Sequence, residues 1–189
     1  PVLWGSKRKI LVFEGLDTYS DIYLNGKKVL TANNMFRKWR IDVTDLLKPT
    51  DNQLKVVFYP PAPTERQKAA TYGIEPPGSH RVFTRKGQWQ YGWDWAPAIP
   101  DMGIWKPVYL EGFEDIELLD VAFEQHFKGD SLDRLFAQFE IDASENQHVA
   151  LSVIWNDQAV ADTLAGLKSG KNLIRVPVEI PGPARFWWP

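Results

Sequence analysis

The sequence predicts an all-β protein built of two β-sandwich modules, on three observations. Fourteen prolines among 189 residues, with few long runs of helical period, favour strands and structured loops. Short segments of alternating apolar and polar residues recur between turn signals. Around Gly112 the pattern restarts, so the modules are expected to span residues 1–112 and 113–189.

Residues 9–14 form an apolar run closed by Gly15, the mark of a buried strand. Residues 21–24 and 27–30 flank Asn25 and Gly26, both tolerant of positive φ, so a hairpin is expected. Residues 37–43 read as a strand and 44–47 as a single helical turn. Residues 53–59 alternate, with Leu54, Val56 and Phe58 on one face. Five prolines and three glycines then interrupt residues 60–88, where only 64–70 could form a short helix. A connection this long is either a functional loop or a disordered excursion. Tyr72, His80, Val82 and Phe83 speak against disorder. After an aromatic run at 89–95, residues 103–111 read as a strand.

In the second module, Ile116 and Leu118, then Val121 and Phe123, describe a long strand whose inward face shifts near Leu119. Residues 135–141 and 149–155 alternate, Asn156 and Asp157 turn the chain into 158–164, and 174–180 alternate again. Five or six strands are visible where an immunoglobulin-like sandwich has about seven. The second module is therefore expected to be cut short at Pro189, with an open strand edge able to recruit another chain. The chain does not open on Met, so the native N-terminus, and any export signal with it, is expected to precede Pro1.

Composition excludes several classes. The formal charge is −2 with both signs interspersed, and Lys7, Arg8 and Lys9 read as a solvated strand edge, so no nucleic-acid partner is expected. No apolar stretch approaches the roughly 20 residues needed to cross a bilayer as a helix, so no membrane partner is expected. Without cysteine there are neither disulfides nor thiolate metal sites. The absence of cysteine and of any Asn-x-Ser/Thr sequon favours a periplasmic or cytoplasmic bacterial protein. His80, His126 and His148 are not paired at metal-ligand spacing, and no cofactor motif is present.

One segment is chemically unusual: Arg85-Lys86-Gly87-Gln88-Trp89-Gln90-Tyr91-Gly92-Trp93-Asp94-Trp95-Ala96-Pro97. Four large aromatics surround one acid. A carboxylate among indoles needs either a cation, for which Arg85 is the candidate, or ligand hydroxyls. Flat apolar faces beside a carboxylate suit a sugar ring. The alternative is a structural Arg–Asp pair within a Trp-rich core.

Phe13-Glu14-Gly15-Leu16-Asp17-Thr18-Tyr19, Tyr23-Leu24-Asn25-Gly26, Asn34-Met35-Phe36-Arg37 and Asp42-Val43-Thr44 resemble the N-terminal sandwich of glycoside hydrolase family 2. The run from Tyr91 to Pro97, followed by Gly103-Ile104-Trp105-Lys106-Pro107-Val108, is similar to the β-mannosidase branch, and the terminal Phe186-Trp187-Trp188-Pro189 resembles the family's Leu-Trp-Trp-Pro stretch in its second domain. Ala96 stands where that branch usually carries Gly. The resemblance implies a jelly-roll, galactose-binding-like first module, whose opening strands precede Pro1, and an immunoglobulin-like second one. It further implies retaining exo-hydrolysis of terminal β-mannosides in mannose-containing oligosaccharides, by two glutamates on a (β/α)₈ barrel of the same parent chain, beyond Pro189. By resemblance Asp94, Trp93 and Arg85 bind substrate and no residue here is catalytic. Another family 2 glycosidase, such as a glucosaminidase or endo-β-mannosidase, and a stand-alone carbohydrate-binding module remain open.

Overall fold

The computed structural model describes residues 5–77, 79–180 and 182. The terminal run at 186–189 lies outside them. Two compact units, Pro1–Gly112 and Phe113–Pro189, make up the chain. The protein is all-β, with one α-helix among the described residues.

The first unit contains strands β1 (Arg8–Phe13), β2 (Leu16–Asp17), β3 (Tyr19–Leu24), β4 (Lys27–Asn33), β5 (Trp39–Asp42) and β6 (Leu54–Tyr59). Helix α1 (Pro61–Tyr72) follows, then β7 (Tyr91–Trp93), β8 (Ala96–Ala98), β9 (Gly103–Ile104) and β10 (Val108–Phe113). The sheet β10-β1-β5 and the sheet β4-β3-β6 send side chains into one core of Leu11, Phe13, Ile22, Leu24, Ala32 and others. Complete burial of a Phe or Leu stabilises by about 1.5–3 kcal/mol each. Strand β1 lies in the middle of its sheet and buries Ile10, Leu11, Val12 and Phe13 in succession, which explains its unbroken apolar run.

The β3–β4 hairpin turns at Asn25 (φ 50°) and Gly26 (φ 83°), the primed geometry expected for this pair. Beyond β5, the amides of Leu46 and Leu47 both donate to the Val43 carbonyl, closing the single helical turn.

The long connection departs from expectation. Helix α1 begins at Pro61 and covers 12 residues, well beyond 64–70. Its prolines sit in the first turn, where an amide has no helical partner to lose, and Gly73 (φ 63°) caps its end. Beyond it the chain continues into a 3₁₀ turn at His80–Phe83. Lys68 on α1 donates to the Phe83 carbonyl at 2.9 Å, and Phe83 stacks on Tyr72 with centroids 5.7 Å apart. The strand expected over 103–111 is split into β9 and β10, with Pro107 between them.

The second unit has β11 (Ile116–Lys128), β12 (Ser131–Ala143), β13 (Gln147–Trp155), β14 (Gln158–Leu167) and β15 (Gly170–Val178). They form a sheet β11-β12-β15 and a pair β13-β14 around a core that includes Leu135, Ala137, Phe139, Ile141 and Leu151. The pairing of β11 with β12 slips between Leu118 and Asp120, the bulge that the shift of face near Leu119 announces. Asn156 (φ 47°) and Asp157 (φ 63°) make the β13–β14 turn.

Candidate functional site

The site residues lie on a short hairpin that follows the long connection. Gly87 precedes it, and the Trp89 ring occupies the space where a Cβ would stand, 2.6 Å away, so any larger residue would displace the indole. Residues Gln88–Gln90 make a 3₁₀ turn that leads into β7. Tyr91 pairs with Ala98 and Trp93 with Ala96, leaving Asp94 and Trp95 as the tip. Gly92 supplies a positive φ of 98° that a side chain would strain.

Asp94 is exposed, and no hydrogen bond or ion pair engages its carboxylate among the described residues. Trp93 is 57% exposed and Trp95 77%. Two exposed indoles beside a free carboxylate are the groups a pyranose can use, its C–H faces against the indoles and its hydroxyls on the acid.

Arg85 does not pair with Asp94. No hydrogen bond or ion pair joins them among the described residues, and the Arg85 side chain is exposed. Its backbone is what the fold uses: Arg85 bridges Asn34, and its carbonyl accepts from the Met35 amide at 2.9 Å. The alternative, a structural Arg–Asp pair in a Trp-rich core, is therefore not what this segment forms among the described residues.

The buried pair is made by neighbours instead. Lys86 Nζ donates to both Asp17 oxygens at 2.6 Å, with Lys86 2% and Asp17 3% exposed. Asp17 also accepts from Thr18 Oγ1 and, at 2.9 Å, from Gln90 Nε2, while Lys86 donates further to the Asp101 carbonyl. Every strong demand of the two charges is thus met inside the protein, the condition under which burial is tolerable.

A second polar set ties α1 to the hairpin. The Tyr91 hydroxyl donates to Glu65 Oε1, and Lys68 Nζ donates to the Tyr19 hydroxyl at 3.1 Å, which meets Thr84 Oγ1 at 3.1 Å. Burial, reinforced by the bond to Glu65, holds the Tyr91 phenol well above its ordinary pKa. Sequence reasoning missed Asp17, Lys86, Glu65 and Tyr91 as a framework. The one available signal was Asp17 interrupting an apolar stretch; its partner lies 69 residues away.

The sequence profile described as "Glycosyl hydrolase 2 galactose-binding domain-like" matches residues 2–106. The chain belongs to glycoside hydrolase family 2. Within that family it is similar to Beta-mannosidase B of Thermothelomyces thermophilus, at 30% identity over 100% of this chain and 22% of the relative. The Beta-mannosidase of Capra hircus is 36% identical over 54% of this chain and 13% of its own length. Among solved structures, the Beta-D-Mannosidase from Dictyoglomus thermophilum superposes with a TM-score of 0.79, at 33% identity, over 94% of this chain and 22% of that one. The exo-chitosanase CsxA of Amycolatopsis orientalis shares the fold, with a TM-score of 0.65 and 20% identity over 97% of this chain and 20% of that one. The family 2 chain therefore spans about a fifth of the curated full-length relatives that it matches from end to end.

Proposed function

We propose that these 189 residues are the non-catalytic sandwich part of a retaining exo-β-mannosidase that removes terminal β-D-mannose from oligosaccharides. In this reading residues 1–112 are a jelly-roll, sugar-binding-like domain and 113–189 an immunoglobulin-like domain. The acid/base and nucleophile glutamates, about 5–5.5 Å apart in a retaining site, belong to a barrel outside this sequence. Asp94 accepts hydrogen bonds from two hydroxyls of the non-reducing mannose and Trp93 packs on the ring. Arg85, exposed, is the cation available to the bound sugar or to the Asp94 carboxylate.

The observation that carries the reading is the free, exposed carboxylate at the tip of an indole-rich hairpin. The named β-mannosidases among its relatives support the choice of sugar. The test uses the full-length protein that contains these residues, assayed on a panel of aryl β-glycosides. The mannoside is expected to be the preferred substrate. Asp94→Ala should lower its kcat/KM by about ten- to a hundred-and-fifty-fold, the worth of a hydrogen bond to a charged group. A preference for another sugar would redirect the assignment to a different family 2 activity, and an unchanged kcat/KM would remove Asp94 from the site. The isolated 189 residues are expected to turn over nothing.

A further inference from the structure

We propose that Glu65 and Tyr91 are positioning residues for Asp94, and that helix α1 sets the aim of the hairpin through their hydrogen bond. The inference rests on the role given to Asp94 above and adds what holds that residue in place.

Glu65 lies within α1 and is 5% exposed, so its carboxylate cannot reach a ligand. A carboxylate in such surroundings needs a donor, and it receives one from the Tyr91 hydroxyl. Tyr91 opens β7, three residues before Asp94, and its pairing with Ala98 and that of Trp93 with Ala96 join the two arms of the hairpin into one ribbon. The helix is itself anchored. Lys68, on the next turn of α1, donates to the Phe83 carbonyl and to the Tyr19 hydroxyl, and so joins α1 to the 3₁₀ turn and to β3. A continuous path of named bonds therefore runs from β3 through Tyr19, Lys68, α1, Glu65 and Tyr91 to the tip.

The distal end of the hairpin has little else to define its direction, because Trp93, Asp94, Trp95, Pro97 and Ala98 are all exposed. The contact of Gln90 with Asp17 secures only the base. One bond near the root of an otherwise free ribbon has leverage over where the tip points. Misplacing a binding group by about an ångström is enough to cost catalysis heavily. The elevated phenol keeps Tyr91 a donor throughout an ordinary assay range.

The test is a double-mutant cycle on the full-length protein, using whichever aryl glycoside the panel selects. Tyr91→Phe should lower kcat/KM by about five- to thirty-fold when Asp94 is present, and by less than about twofold in the Asp94→Ala background. Glu65→Gln, which keeps an acceptor for the hydroxyl, should stay within about threefold of the parent. If Tyr91→Phe does not fold, Glu65→Leu removes the acceptor without stranding a charge, and the same non-additivity is expected. An equal factor in both backgrounds would show that Tyr91 supports the fold and does not act through Asp94. No effect of Tyr91→Phe would overturn the proposal outright. No effect of Asp94→Ala would sink the sugar-gripping reading and this inference with it, a pattern distinct from the additive one.

Discussion

Asp17 and Asp94 belong to the same unit and differ in nearly everything but their chemistry. Asp17 is buried and takes donors from Lys86, Thr18 and Gln90. Asp94 stands at a hairpin tip with no partner among the described residues. The first carboxylate is consumed by the fold, since it holds the segment 86–90 and the Asp101 backbone against β2 through Lys86. The second is left over by the fold, so its hydrogen-bonding capacity is available to something else. Burial separates the acid that the fold uses from the acid that it leaves free, where sequence neighbourhood does not: both sit beside large apolar residues.

The sharpest way to break that contrast is to remove Lys86. Lys86→Ala strands a buried carboxylate, a loss of about 3–5 kcal/mol, enough to unfold a marginal domain. The expected result in a denaturant titration is a collapse of the transition or insoluble protein. Replacing the pair together, Asp17→Leu with Lys86→Met, should recover much of that loss because no charge is left uncompensated. If Lys86→Ala unfolds at the same denaturant concentration as the parent, Asp17 is not the structural acid described here.

Gly92 tests the hairpin that carries the other acid. A Cβ there meets only Ala98 at 3.5 Å, ordinary contact, so the cost of Gly92→Ala is the strain of its positive φ. That strain is about 1–2 kcal/mol. Since the hairpin is exposed, the loss should appear as local opening, with amide exchange over the β7–β8 hairpin accelerated about five- to thirty-fold. Unaltered exchange would mean that the backbone relaxes out of that conformation at no cost.

Asp94→Ala is the complementary change, and here the expectation is for stability to stay put. An exposed, unpartnered side chain contributes within about 0.5 kcal/mol, so the unfolding midpoint should not move while activity falls. A large drop in stability would place Asp94 with Asp17 after all.

Much of the scaffold was legible in the sequence because local rules and global fold agree there. Asn25-Gly26 and Asn156-Asp157 adopt the positive φ values their chemistry favours, and the slip beside Leu119 follows from its broken alternation. The full length of helix α1 is hidden in the sequence because Pro61 and Pro63 look like breakers unless they fall in a first turn, and sequence alone does not fix where that turn begins. The segment was legible as a composition, acid among indoles, but the buried ion pair beside it was not, since Lys86, one residue past Arg85, pairs with Asp17. Arg85 spends its backbone on Asn34 and Met35, and the next side chain, Lys86, points inward. Successive side chains of extended backbone face opposite ways, so an error of one position exchanges inside for outside. Glu65 with Tyr91 and Asp17 with Lys86 were not legible, since pairings across tens of residues are set by tertiary packing.

Glu124 in the second unit supplies the intermediate case, an acid that is half-buried at the surface and yet fully engaged. Arg175 donates to both of its oxygens, at 2.9 and 3.0 Å, while His126 and Gln138 add further bonds. The guanidinium also stacks on Phe136, 3.4 Å from the ring centroid, which fixes the orientation of its fork. Arg175 first, then His126, bring the Glu124 pKa down from 4.5 to about 2. A folded-state value below the unfolded one means that the unfolded chain binds the proton more readily as pH falls. The contribution is therefore complete above pH 4.5, shrinks between 4.5 and about 2, and is gone below. Because the group is about a third exposed, solvent keeps the stability at stake small, and the cleaner readout is the carboxyl resonance of Glu124 followed through acid. Its midpoint should lie near 2 and climb towards 4.5 in Arg175→Met. A parent midpoint already at 4.5 would mean that solvent screens these bonds away, and that exposure alone, whatever the partners, decides which acids of this fold remain free.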